Sequence, residues 1–468
     1  MSCLNYHRAT AHTYESVRRP HFLDWGNYPS PYKFYEGVKT FKLPPFKATT
    51  METVDTLYRI CADYGGDRLS MQEVANLAFA VNGITKVENF HGEPFGFRAS
   101  PSAGALYPFE LYLFLRELPP LPDGLYHYQP ANHSLELLIE ADLWEELQTA
   151  LCAEVRGNVA AVITAYYPRS AWKYGPRSYR YCLLDSGHAA GNGVVFLRSL
   201  GLDSTALSLF KDDSLNKLLG VDGRKEFALI AVLPQRPALY WGEKEPEERP
   251  FPPSLPVLRR PVEEPLVEEA HRAGVLEDCY FYRPFPTDYP EDLPQVNSLT
   301  VAETLLKRRS RREFTGRQLS FEEFKFAVEP ALNCFPADWG FPKTNLYLQV
   351  RSVEGLADGI YAVESGRLTP VRLGDFSAEM AYLALHQRFV GRANVNAVFT
   401  FNFEGSDCRQ YRAANLEAGA LGESLYLGAE SLGLGACGIG AFYDFELQSF
   451  LGLPETELPL YLVSVGAL

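Results

Sequence analysis

The chain has 468 residues, 46% of them apolar and 13% aromatic, which is enough for two or three domains with cores of their own. Fifty-eight acidic residues against 44 basic ones leave a formal charge of -14, which argues against nucleic acid or an anionic membrane as a main partner. The eight cysteines (Cys3, Cys61, Cys152, Cys182, Cys279, Cys334, Cys408, Cys437) form no CxxC pair and the histidines are dispersed, so no metal-site spacing appears and reduced core thiols of a cytoplasmic protein are expected.

The opening MSCLNYHRAT has no apolar h-region, and no apolar run reaches the length of a membrane span. Residues 1–50, rich in aromatics and prolines, read as an arm packing on the first of two domains, 51–236 and 300–468. Within the first domain a capping box, "RLSMQEV" (Arg68 to Val74), opens a helix. An apolar strand (Leu111 to Leu115), a hairpin at "DGLYHY" and the strand "NVAAVIT" (Asn158 to Thr164) follow. A long helix rich in small residues and a last strand, "EFALIAVL", complete the domain. Residues 237–299, with "EKEPEERPFPPSLP" and "RRPVEEPLVEEA", read as an extended Pro/Glu-rich linker wrapped on the surface.

The second domain repeats the first. "RSYRYCLLDSGHAAGNGVVFLRSLGLDSTALSLF" (Arg177 to Phe210) aligns without gaps on "RQYRAANLEAGALGESLYLGAESLGLGACGIGAF" (Arg409 to Phe442). "QLSFEEF", "DGIYAV" and "NVNAVFT" (Asn394 to Thr400) repeat the earlier pieces in the same order. Strands and hairpins mixed with helices in this way predict an α+β fold in each half.

Three stretches carry chemistry. "KRRSRREF" (Lys307 to Phe314) packs five basic residues into eight positions. If the segment is helical, Arg308 and Arg312 are four apart on one side with the Ser310 hydroxyl between them; the plain alternative is a solvated basic turn. "PSAGALYP" (Pro101 to Pro108) sets Ser102, Ala103, Gly104 and Ala105 in a row, small enough for backbone to approach a flat ring. "GACGIGAF" (Gly435 to Phe442) offers the same, although a glycine-rich helix end would look alike, and neither stretch is a Rossmann GxGxxG.

Together with "WKYGPRSYR", these motifs resemble the FMN-dependent nitroreductase superfamily over both repeats, and more closely its SagB-type, azoline-oxidase branch. The resemblance implies two tandem nitroreductase-like domains, each a mixed, mainly antiparallel sheet flanked by helices, joined as an intramolecular pseudo-dimer with FMN between them. Arg308, Arg309, Ser310 and Arg312 would hold the phosphate, which needs charge-assisted donors. Pro101, Ser102, Ala103, Gly104 and Leu106 would cover the ring from the other repeat, and Cys437, Gly438, Ile439 and Gly440 would face it with backbone N–H groups. Lys173 and Tyr174 match a pair implicated in catalysis in azoline oxidases: a half-buried lysine can take a proton while FMN takes the hydride. Against that stand a surface lysine, a core histidine at His188 rather than a base, and a buried filler at Cys437 rather than a reactive thiol.

Each repeat lacks what the other keeps. Arg308, Ser310 and Arg312 face Tyr58, Ile60 and Ala62; "PSAGALYP" faces "PADWGFPK" (Pro336 to Lys343), bulky at Trp339 and Phe341; "GACGIGAF" faces "DSTALSLF" (Asp203 to Phe210). One flavin site per chain is therefore expected. The chain departs from the family pattern in having no basic residue near its end, "SVGAL". The expected activity is dehydrogenation or oxidation of azoline heterocycles in modified peptides, with O2 as electron acceptor. NAD(P)H-dependent reduction of nitro, quinone or enone compounds and a non-catalytic binding protein remain alternatives. The substrate is a small molecule or a peptide, and a further homodimer stays open.

Overall fold

Two sheets, one per repeat, enclose a pair of long helices. In this computed structural model residues 2–19, 22–90, 92–279, 296–332, 335–339, 344–364 and 366–468 are described; Phe341, Cys334 and the linker stretch 280–295 lie outside them. Sheet one runs in the order Lys39–Lys42, Ser134–Glu140, Gly124–Gln129, Phe109–Leu115, Val159–Tyr166, Glu226–Leu233, Thr205–Leu207. Sheet two runs Arg367–Leu373, Gly359–Glu364, Asn345–Val350, Val395–Asn402, Glu457–Gly466, Gly435–Ile439. All strand pairs within them are antiparallel. The mixed character comes from isolated parallel bridges such as Ser310 to Ala436 and Ala206 to Ala337.

The duplication extends to register. Ile163 sits opposite Ile230 and Thr164 opposite Ala228; in sheet two Phe399 sits opposite Tyr461 and Thr400 opposite Pro459, each pair flanking a bulge. Ile230 and Tyr461 are therefore counterparts. Phe109–Leu115 and Glu226–Leu233 are buried along their whole length, which is why they read as continuous apolar runs instead of alternating ones. The capping boxes at Ser70 and Ser320 form as the sequence predicts, each serine accepting from the N3 backbone while the N3 glutamate reaches back.

The long helices, Ser178–Ser199 and Cys408–Ser431, cross at a glycine pair. A Cβ on Gly187 would stand 2.2 Å from the Leu416 carbonyl oxygen, and one on Gly419 would stand 2.2 Å from that of Leu184, so only glycine permits the approach. Ion pairs cross this axis in both directions. Arg177 and Arg180 donate to Asp444 at 2.9 and 2.7 Å, and their counterparts Arg409 and Arg412 donate to Asp212 at 2.7 and 2.6 Å. The chain is thus a pseudo-dimer about a local two-fold.

Several expectations change. The helix Val301–Lys307 ends at the first residue of the basic cluster, with Arg308 as its non-helical cap (φ -50, ψ 127), so Arg308 to Arg312 do not share a helical face. They run instead beside strand Gly435–Ile439, where Arg311 N–H donates to the Ala436 carbonyl at 2.8 Å. "GACGI" is itself that strand, not a helix end. The N-terminal arm reaches both repeats: it adds Lys39–Lys42 to sheet one, while His12 bridges Tyr443 of the second repeat. The linker includes a helix, Pro265–Arg272, that buries Val267, Ala270 and His271. Cys152 and Cys279 form a disulfide, with Cα atoms 5.5 Å apart, because the linker folds back onto the end of helix Trp144–Leu151. Scattered thiols therefore no longer argue for a reducing compartment. No helix among the described residues is long and apolar enough to cross a membrane.

Candidate functional site

The cavity that matters lies between the repeats. It has a volume of about 180 Å3 and opens to solvent. The first repeat lines it with Pro101 to Gly104, Tyr174, Asp185 and His188; the second supplies Ser310, Arg312, Tyr426 and Gly438 to Ala441.

The Pro101–Gly104 loop is held by a carboxyl beneath it. Ser102 Oγ donates to Asp185 at 2.5 Å and Ala103 N–H donates to the same group at 3.2 Å. Gly104 sits in the left-handed region (φ 62), and a Cβ there would meet Tyr174 Oη at 2.6 Å and Lys173 Nζ at 2.9 Å. The absent side chain is what brings the Lys173–Tyr174 pair against the loop. Burial lowers the proton affinity of Lys173, and burial, then the neighbouring Tyr181 and Asp185, raises that of Tyr174. Burial pushes the Asp185 carboxyl up to about 7, with Ser102 and Ala103 opposing the shift. The two hydrogen bonds offset the cost of burial only in part.

On the opposite wall Gly438 N–H donates to Tyr426 Oη at 2.6 Å, and Tyr426 pairs with Ser310 Oγ at 2.9 Å. Arg177 holds the Gly440 carbonyl at 2.9 Å from across the axis. Deeper, His188 lies between Glu423 (Nδ1 to Oε2, 2.7 Å) and Tyr461 (Nε2 to Oη, 2.8 Å). His188 is thus the satisfied core histidine that the sequence suggests, yet its ring also borders the cavity.

The pseudo-symmetric position is closed. Ala206 N–H donates to the Pro336 carbonyl at 2.9 Å and Asp338 N–H returns to the Ala206 carbonyl at 3.0 Å, so the loop equivalent to Pro101–Gly104 is zipped onto the strand equivalent to Gly435–Ile439. Trp339, 3% exposed, fills the space and donates from Nε1 to Glu417, the counterpart of Asp185, at 3.0 Å. The Asp338 carboxylate accepts from Ser208 and Leu209 N–H at 2.7 and 2.6 Å. Those two residues correspond to Gly440 and Ala441, which line the open cavity. The closed side carries its own acceptor where the open side leaves room for one.

Of the residues singled out in the sequence, Pro101, Ser102, Ala103, Gly104, Tyr174, Ser310, Arg312, Gly438, Ile439 and Gly440 line the cavity. Arg308 sits just behind it. Its guanidinium donates to the carbonyls of Ala99 and Arg98 at 2.6 and 3.3 Å, which ties the basic segment of one repeat to the loop of the other. Its Nη1, buried, has no hydrogen-bond partner among the described residues. Arg309 turns away to Thr85, Leu106 packs with Trp172 and Leu258, and the Cys437 thiol is buried, with burial raising its pKa. The sequence reading missed Asp185, Gln387, Tyr426 and Tyr461 as lining residues.

A flavin mononucleotide suits this donor set. An anionic group would find Arg312, the Ser310 hydroxyl and the unpartnered N–H of Arg308 on one side. A flat ring would find side chains no larger than serine at Ser102, Ala103, Gly104, Gly438 and Gly440.

Comparison with known proteins identifies the family. The profile of the nitroreductase family matches residues 63–233 and 305–467. The crystal structure of a protein from Anabaena variabilis, named as a nitroreductase, superposes with a TM-score of 0.80 and 27% identity, covering 100% of this chain and 99% of that one. MJ1384 of Methanocaldococcus jannaschii, also named as a nitroreductase, is 30% identical over 194 residues, 41% of this chain and 93% of its own. The microcin B17-processing protein McbC of Escherichia coli is 27% identical over 141 residues, 28% of this chain and 52% of McbC.

Proposed function

The chain belongs to the nitroreductase family, and from that premise we propose that it is an FMN-dependent oxidoreductase with one flavin site per chain, acting as a dehydrogenase of azoline-type heterocycles. The observation that carries the reading is the cavity lined by Ser102 to Gly104 from one repeat and by Ser310, Arg312 and Gly438 to Gly440 from the other, beside a pseudo-symmetric position filled by Trp339.

Ser310, Arg312 and the free N–H of Arg308 would hold the phosphate, and the Pro101–Gly104 loop, braced on Asp185, would cover the ring. When bound, the flavin supplies a two-electron acceptor for hydride. The protein's share is to position the heterocycle over the small-residue loop and to take the proton released from its ring carbon. Lys173 Nζ, close to Gly104, would take it, and its lowered proton affinity leaves more of the neutral amine available. Tyr174 Oη, kept protonated by burial, can donate to the substrate's ring nitrogen. The similarity to McbC supports a peptide-borne substrate over an isolated small molecule.

The test is purification, release and quantitation of flavin, followed by anaerobic mixing with a thiazoline-containing peptide and, separately, with NADPH. Bleaching by the thiazoline and indifference to NADPH is the expected result. Bleaching by NADPH alone would replace this reading with a nitro, quinone or enone reductase. Colourless protein that binds no added FMN would leave a non-catalytic protein.

A further inference from the structure

Behind the cavity wall lies a polar cluster that the fold itself does not require. Glu423, His188 and Tyr461 are all buried and joined in line, Oε2 to Nδ1 at 2.7 Å and Nε2 to Oη at 2.8 Å. Their counterparts in the other half are Gly191, Ala420 and Ile230, and Tyr426 corresponds to Val194. The same scaffold is therefore built once with small and apolar residues and once with an acid, an imidazole and a phenol. Burying an ionisable carboxylate costs several kcal/mol unless it is compensated, so its presence only on the side with the cavity points to use in the cavity.

Room for the cluster is made by two glycines. A Cβ on Gly438 would stand 1.8 Å from Tyr461 Oη, and one on Gly422 would stand 2.9 Å from the Tyr461 ring and 3.1 Å from that of His188. The counterparts of these glycines are Ala206 and Ala190. His188 and Tyr461 both border the cavity, and Glu423 stands behind them.

We propose that Glu423, His188 and Tyr461 form a proton-accepting relay that opens at the cavity through the Tyr461 hydroxyl. This deepens the oxidoreductase reading above, rests on it for the substrate that gives up the proton, and sets the relay beside Lys173 Nζ as a second acceptor for it. The polarity follows from hydrogen-bond chemistry. An ionised carboxylate only accepts, so Nδ1 carries the proton toward Glu423 and Nε2 accepts from Tyr461 O–H. The lone pairs of Tyr461 Oη are left for the cavity. A proton arriving from a bound group forms a new O–H bond at Tyr461 as the tyrosine's own O–H breaks and its proton moves to His188 Nε2. The tyrosine ends neutral, the imidazolium sits against Glu423, and no electron is transferred in the relay. Burial, with Tyr426 and Asp185 nearby, raises the pKa of Tyr461 well above that of a free phenol, so it passes the proton on without ionising. The titratable and charged groups around the cluster are Tyr426 on the second long helix, whose ring meets that of His188; Asp185 and Cys437, which act on Tyr461; and Arg308, whose Nε is 3.8 Å from Glu423 Oε1. His188 and Tyr461 are the catalytic members; Glu423 is a positioning residue.

Two measurements test this. Nitrogen-15 NMR of the imidazoles in wild-type protein, with and without FMN, assigns His188 by the loss of its signal in His188→Ala, the residue found at position 420. A protonated Nδ1 with an unprotonated Nε2 is expected; the opposite tautomer overturns the proposal whether or not flavin is bound. In the holoenzyme, Tyr461→Phe and Glu423→Gln should slow the proton-coupled half-reaction by about 100-fold or more, with flavin content unchanged and the ascending limb of the pH profile altered. Variants within twofold of wild type and with its pH profile would make the cluster structural. Absence of any half-reaction in the wild type would defeat the functional reading instead, and the tautomer measurement would then decide the relay alone.

Discussion

Replacing Asp185 by asparagine should make the protein more stable at neutral pH and flatten part of its pH dependence. Asp185 is 4% exposed, accepts from Ser102 and Ala103, and has its carboxyl pushed up from 3.8 to about 7 by burial. Between those two pH values the folded chain holds a proton that the unfolded chain has released. The group's contribution is therefore fully present below about pH 4 and is lost as pH rises through about 7. Three pH units at about 1.4 kcal/mol each set a ceiling of about 4 kcal/mol on the loss. The carboxyl borders a cavity open to solvent, where screening reduces it, and about 2 kcal/mol is expected. Asparagine keeps one oxygen for Ser102 and Ala103 and carries no charge to desolvate. Urea unfolding of cofactor-free wild type and Asp185→Asn, at fixed ionic strength from pH 4 to 8, reads the difference. The variant should gain on the wild type from about pH 4 and level off above about pH 7. Parallel curves would show that Asp185 is not a strained carboxyl, and a loss of stability at pH 8 would show that its charge holds the loop.

The reciprocal ion pairs give a matched test: Asp444→Asn and Asp212→Asn each strand two buried arginines and should each cost about 3–5 kcal/mol by chemical denaturation, while a cost below about 1 kcal/mol in either would remove the pseudo-symmetric account of the interface. Burial alone would raise the Asp444 pKa, but Arg177 and Arg180 hold it well below the usual carboxylate range, so its contribution is present above about pH 4 and fades as pH falls further. Trp339→Ala should destabilise by about 3–5 kcal/mol yet leave the flavin content of the open cavity unchanged; loss of flavin would mean that the filled position takes part in binding. Gly438→Ala should displace Tyr461 and lower flavin retention, at a cost of about 1–3 kcal/mol in stability, whereas normal retention would mean that the strand shifts freely.

Much of this architecture is legible in the amino-acid sequence. The gapless match of Arg177–Phe210 with Arg409–Phe442 becomes two helices crossing at Gly187 and Gly419, and the serine capping boxes become helix starts. The complementary losses between repeats anticipate one open and one filled position. Other features depend on contacts that composition does not encode. The Arg308 segment leaves its helix because it adds to the edge of strand Gly435–Ile439. Gln387 reaches the cavity through two successive left-handed residues, Leu385 and His386 (φ 55 and 61), a conformation with no sequence signal outside glycine and asparagine. The Cys152–Cys279 bridge spans 127 residues, so nothing in local spacing announces it. Tyr426, Tyr461 and His188 do carry a signal: each is polar where the other repeat has Val194, Ile230 or Ala420.

The measurement that bears most directly on the account is the flavin stoichiometry of the purified chain, taken with its dependence on both repeats. One FMN per chain, lowered alike by Ser102→Trp in the first repeat and by Arg312→Ala in the second, is the expected result. Two flavins per chain, or retention that depends on one repeat alone, would contradict a site assembled from halves.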